Sequence, residues 1–194
     1  MAANRDLVLA GVAGGGAAGT ALSHFAPKGS TAPTTADGAL DAAFLDPGYV
    51  TEEGLTKALE QETVDIRAYG VRQPVRTLKT TRKTTFNIGF LESSPVALAV
   101  YHGLALDALV PDASGAFDFT EGEPADVTYA VVFDILDGLN HVRAYAPLVE
   151  NTGPANWEVR PSAAIQHGVQ LTAHPGSDGV AIHWFYLLNA LATP

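Results

Sequence analysis

The chain has 194 residues, 47% apolar and 16% charged, enough for one domain with a sizeable core and too apolar for a disordered segment. Its 21 acidic residues outnumber 11 basic ones, giving a formal charge of -10; that balance argues against sequence-independent nucleic-acid binding, which needs clustered Lys and Arg. Cysteine is absent, so disulfides and thiolate metal sites are excluded.

Residues 1 to 36 are dominated by Gly, Ala, Thr and Pro, and their only charges are Arg5, Asp6 and Lys28. Two short apolar stretches, Leu7 to Ala10 and Ala21 to Ala26, punctuate them. A segment this poor in large apolar side chains cannot by itself offset its ordering entropy, which predicts an arm with one or two short strands. The expected organisation is a flexible N-terminal arm over 1–20 and a single β domain over 21–194. Leu7 to Ala21 is interrupted by Gly11, Gly14, Gly15, Gly16 and Gly19, leaving it too weakly hydrophobic for the apolar core of a signal peptide. No run approaches the ~18 to 20 apolar residues of a membrane span. Gly14-Gly15-Gly16 lacks the Lys-Ser/Thr of a phosphate loop.

A helical turn is expected over Leu40 to Phe44, then a tight turn at Asp46-Pro47-Gly48. Thr63 to Tyr69 alternates as a strand with Val64, Ile66 and Ala68 on one side. Gly70 and Pro74 bracket a loop, and Val75 to Leu91 reads as a long strand in which Leu78, Phe86, Ile88 and Phe90 share parity. One helix is expected, with Ser94 as N-cap, Pro95 at its first position and Gly103 closing it. Beyond it the pattern is β. Val127 to Ile135 alternates, Asp137-Gly138 suits a hairpin turn, and His141 to Val149 returns. Ile165 to Ala173 alternates again, 175 to 179 turns, and Ile182, Trp184 and Tyr186 share a face of the last strand. The expected fold class is mainly β, a β-sandwich or half-barrel with one short packed helix and long loops or an arm.

No catalytic constellation emerges. His24, His102, His141, His167, His174 and His183 fall on different elements, and no H-E-x-x-H, P-loop or G-x-S-x-G motif is present. Glu52-Glu53 and Glu121/Glu123 lie beside glycines in expected loops, where solvated charge is the simplest reading. The sequence therefore predicts no enzyme, catalytic residue, cofactor or metal. One charge feature stands apart. Arg76, Lys79, Arg82 and Lys83 place four of the 11 basic residues within eight positions of a Thr-rich strand. Glu52, Glu53, Glu60 and Glu62 lie just upstream. Opposed clusters of this kind suit head-to-tail contact between copies, and these eight are the candidate inter-subunit residues. Without such contact the cations would serve as gatekeepers on an edge strand.

The run from Gly38 to Thr56, GALDAAFLDPGYVTEEGLT, resembles a stretch of siphophage major tail proteins, the tail tube subunits, especially those of actinobacterial phages. Further similar pieces follow in order: Thr63 to Gly70 with Val75 to Leu78, Phe90 to Val96, His141 to Val149, and Gly168 to Pro175. Together they run from about Ala21 to Trp184. The Gly/Ala arm before Ala21 is longer than the family pattern, and the chain ends at Pro194 without an Ig-like decoration.

The resemblance implies a structural virion protein forming stacked hexameric rings, with strands of each copy closing an inner barrel that leaves no open edge. Its implied partners are further copies of itself, a tape-measure protein, and tail-tip and tail-terminator proteins. DNA would pass through the lumen during ejection without specific binding, and no membrane is involved. An acidic bore would repel the phosphates. The implied location is the phage tail, assembled in the host cytoplasm. The alternatives are the tube of a contractile tail or injection machine, or a carbohydrate-binding, adhesin-like β-sandwich. The last needs an aromatic platform, and Trp157 and Trp184 stand far apart in sequence.

Overall fold

The computed structural model describes residues 7–11, 21–123 and 126–192. In chain order it contains β1 (Ser23–Pro27), β2 (Val50–Ile66), β3 (Arg76–Phe90), α1 (Pro95–His102), β4 (Thr128–Asp137), β5 (Asn140–Pro154), β6 (His167–His174) and β7 (His183–Leu187). All pairings are antiparallel, in the order β1-β4-β5-β6-β3-β2, with β7 beside the first part of β5. With 43% strand against 7% helix, the chain is mainly β, as its alternating patterns predict.

The aromatic core requires the sheet to curl. Phe86 of β3 and Phe133 of β4 are separated by β5 and β6, which in a flat sheet would hold them roughly 14 Å apart. Their ring centroids are 4.6 Å apart. Phe25 of β1 likewise meets Phe90 of β3 at 5.9 Å. The sheet is therefore a half-barrel, and its concave side holds the main core, including Val131, Val149, Val169 and Leu171.

Helix α1 closes over this core with Ala97, Ala99 and Val100. Its ends are those expected. Ser94 Oγ accepts the Ala97 N–H at 3.1 Å, and Gly103 adopts φ 67, the left-handed conformation that ends the helix. Tyr129 fixes the exit, its hydroxyl donating to the Leu104 carbonyl at 2.7 Å; burial pushes the phenol's pKa far up.

The convex side is covered too. Leu40, Ala43 and Phe44 pack over Ala26, Ala130, Val132 and Tyr145. This loop is tied down by a buried ion pair: Arg143 donates to both carboxylate oxygens of Asp134, at 2.6 and 3.0 Å. The same guanidinium donates to the carbonyls of Gly38 and Thr35, at 2.7 and 3.1 Å.

The structure revises the expectations for residues 21–36, for the start of β2 and for the face of Leu78, and bears out the turn at Leu40 to Phe44. Strand β1 stands at one end of the sheet, yet Phe25 and Ala26 are fully buried, so the Gly/Ala-rich segment contributes a core strand. The flexible arm assigned to 1–20 lies outside the described residues except for Leu7 to Gly11, where the Ala10 N–H donates to Asp137 Oδ2 at 2.9 Å. Leu40 to Phe44 forms a single turn, Phe44 N–H to Asp41 carbonyl at 3.0 Å, before Leu45 bridges Phe25. Strand β2 begins at Val50, well before Thr63, and an extra residue in β3, Thr80, moves Leu78 to the face opposite Phe86.

Candidate assembly interface

Strand β3 is flanked by both β2 and β6 only from Thr84 to Phe90. Before Thr84 it pairs with β2 alone, so residues 76–83 carry the hairpin roughly 26 Å past the sheet at ~3.3 Å per residue. Between Thr56 and Lys83 every residue is exposed except Ala58 and Leu78, which are half-buried. An amphipathic strand needs one buried face; this arm has none, which is why β2 shows no clean alternation in sequence before Thr63.

The arm leaves the body at two anchors. Glycine fits at Gly89, because a Cβ there would lie 2.9 Å from Thr51 Cγ2 and displace that buried side chain. Opposite it, four residues of β2, 51–54, bulge between the Val50–Phe90 and Leu55–Ile88 pairs, and Gly54 at φ 65 returns the strand to register. Farther along, Lys57 Nζ sits 5.5 Å from the centroid of Trp184, which itself stacks on Tyr186.

The eight candidate residues all lie on this hairpin. Glu52 and Glu53 occupy the bulge, part of a strand where a loop was expected. Glu60 and Glu62 sit mid-arm on β2; Glu60 is directly across from Lys83, and Glu62 Oε2 accepts from Thr81 Oγ1 at 3.1 Å. Arg82 lies opposite Gln61, Lys79 opposite Thr63 and Arg76 opposite Ile66. Because side chains alternate, Arg82 and Lys79 share one face of the ribbon, while Lys83 and Arg76 share the other. None of the four cations is in an ion pair among the described residues.

Sequence reasoning missed the exposure of the arm's apolar side chains and its basic tip. Leu59, Val64, Ile66, Tyr69, Val71 and Val75 are all exposed. Arg67 and Arg72 extend the positive charge around the turn. The outer edge of β2 has no strand partner among the described residues, leaving a long row of backbone donors and acceptors unpaired. Exposed apolar side chains, an open edge and unpaired cations on one projection describe a surface built to be covered.

The histidines do not converge. His141 bonds Asp134, His102 bonds Glu121, His174 bonds Glu150 and His183 bonds Asp178. His167 meets Ser93 Oγ at 3.1 Å, and His24 is buried. Among the described residues no three His, Asp or Glu side chains are grouped to hold a metal ion.

A search of curated proteins finds no match to this chain. A family model described as phage tail tube protein matches residues 1–191. With nearly the whole sequence covered, the chain belongs to the phage tail tube protein family, whose members are structural and not enzymatic.

Proposed function

We infer that this protein is the tube subunit of a long, non-contractile siphophage tail, and that it acts as hexameric rings stacked around a lumen through which DNA passes during ejection. Membership of the tail tube family makes it a self-assembling tail component. The observation that carries the finer reading is the projecting hairpin, with an open edge and exposed apolar side chains that a single copy leaves uncovered. In a closed ring each β2 edge meets a neighbour's strand, which removes the edges from solvent. Arg76, Lys79, Arg82 and Lys83, together with Glu52, Glu53, Glu60 and Glu62, belong to this inter-subunit contact and set its register. The residues of 1–20 complete the ring as an arm on the body formed by 21–194. The net charge of -10 per copy disfavours adhesion of DNA as it moves down the bore. A tape-measure protein sets the tube's length, and tail-tip and terminator proteins close its ends, in a particle assembled in the host cytoplasm.

Negative-stain microscopy of the purified protein, with and without the tail-tip complex, tests this reading. The expected result is tubes of stacked six-membered rings; a chain that remains monomeric at every concentration and with the tip complex added would overturn it.

A further inference from the structure

The charge of this chain is divided between two exposed segments that do not meet within one copy. From Ile66 to Leu91 there are six basic residues, Arg67, Arg72, Arg76, Lys79, Arg82 and Lys83, and no acidic one. Between Gly103 and Val127 there are six acidic residues, Asp107, Asp112, Asp118, Glu121, Glu123 and Asp126, and no basic one. All twelve side chains are exposed, and no ion pair joins the two sets among the described residues.

The acidic segment is held in shape by the body. Leu106 and Leu109 are buried in the core, and the Leu104 carbonyl takes the Tyr129 hydroxyl. Asp112 accepts the N–H groups of Ser114 and Ala116 at 2.7 and 3.0 Å and the Ser114 hydroxyl at 2.6 Å. These bonds hold its carboxyl below the usual carboxylate range. Glu121 is fixed by His102 at 2.7 Å. Asp107, Asp112 and Glu121 thus stand on stretches that the body and local hydrogen bonds hold, which lowers the entropy lost on binding.

Resting on the tube reading above, we propose that the basic half of the hairpin, from Arg67 to Lys83, docks on the acidic surface formed by residues 104–123 of a second copy. Each subunit carries one hairpin and one acidic segment, so the contact is heterologous and repeats from copy to copy without a special end. On its own hairpin Glu60 stands across from Lys83, while Glu62 accepts from Thr81 and Asp65 from Thr77, so the counter-charge for the tip comes from elsewhere. The tip also exposes Tyr69, Val71 and Val75, apolar groups that a protein surface covers and a DNA backbone does not. Matching opposite charges favour the docked register and penalise hairpin against hairpin.

Two charge reversals test the contact: a hairpin variant with Arg67→Glu, Arg72→Glu and Arg76→Glu, and a loop variant with Asp107→Lys, Asp118→Lys and Glu123→Lys. Sedimentation and microscopy are read at one salt concentration, with a thermal melt to confirm folding. Each variant alone should need at least about tenfold more protein to assemble, since like charges then meet. An equimolar mixture should recover assembly, because each reversed hairpin then finds a reversed loop and each native hairpin a native loop. Wild-type assembly by the hairpin variant, or two defective variants that stay defective when mixed, would overturn the proposal. So would loss of duplex-DNA binding by the hairpin variant with sedimentation unchanged, which would assign the arm to DNA. If the reversed hairpin fails to fold, Arg67→Gln with Arg72→Gln and Arg76→Gln replaces it, with weakened assembly expected and unchanged assembly overturning the proposal. A wild-type chain that never assembles would sink the tube reading itself, whereas normal wild-type tubes with an indifferent hairpin variant sink only this contact.

Discussion

The half-barrel body and the projecting hairpin are made from the same kind of strand yet obey opposite rules. In the body, β4 and the first part of β5 are covered on both sides, by the curled sheet inside and by the 28–49 loop outside. One ion pair is buried there too, with Arg143 held between Asp134 and two loop carbonyls. The arm buries nearly nothing, and its charges and apolar groups alike face solvent. Ladder hydrogen bonds alone give a two-stranded ribbon only marginal stability in water. The body supplies the folding energy, and in the tube proposed above the arm is a connector whose contacts other copies complete.

The largest separation of the two regions is expected from Arg143→Ala. It leaves the Asp134 carboxylate buried without its partner and removes the donor to Gly38 and Thr35, a loss of about 3–5 kcal/mol in denaturant unfolding of the monomer. A smaller effect would mean that the 28–49 loop opens to solvent and the body is less closed than described.

A matched pair sharpens the contrast. Leu171 is 0% exposed and Leu59 is 47% exposed. Leu171→Ala should cost about 2–5 kcal/mol of monomer stability. Leu59→Ala should stay within about 0.5 kcal/mol while weakening tube formation. Equal costs in the monomer would show that the arm folds back onto the body.

Tyr129→Phe should cost about 1–3 kcal/mol, because the Leu104 carbonyl loses its donor while the ring still fills its site. The acidic surface that follows Leu104 starts there, so under the proposed docking assembly should weaken with it.

The smallest effect is a pH dependence confined to the body, since the hairpin from Val50 to Phe90 has no histidine. Burial lowers the pKa of His24, against the raising influence of Asp134 and Asp46, and Arg143 lowers it further. Burial, then the nearby His102, lowers that of His167. Both start from the ordinary value of 6.5, which the unfolded chain retains. Their contribution is therefore constant above that value and falls as pH drops below it, when the unfolded chain takes up protons that the folded chain refuses. Melts between pH of about 7.5 and 5.5 should show a decline that His167→Gln reduces. An unchanged slope would mean that His167 is open to water.

Much of the body could be read from the chain. Ser94-Pro95 and Gly103 mark α1 because capping is local chemistry, and Asp137-Gly138 marks a turn because few residues accept a positive φ, here 60 at Gly138. Strands β4 and β6 show period-2 patterns because their larger apolar side chains line the main core, while the smaller ones on the other face of β4 lie under the 28–49 loop. The clustering of Arg76, Lys79, Arg82 and Lys83 was visible as well, though not their division between two faces. Tertiary structure decided the rest. Strand β2 escaped its pattern from Val50 to Thr63 because a ribbon exposed on both sides is not selected for alternation. Leu78 changed face because one bulged residue inverts everything beyond it. The pairing of Asp134 with Arg143, and the isolation of the basic hairpin from the acidic segment, depend on which strands neighbour one another. Periodicity reports which side of a strand is buried; only the folded sheet determines what that side, or an uncovered arm, faces.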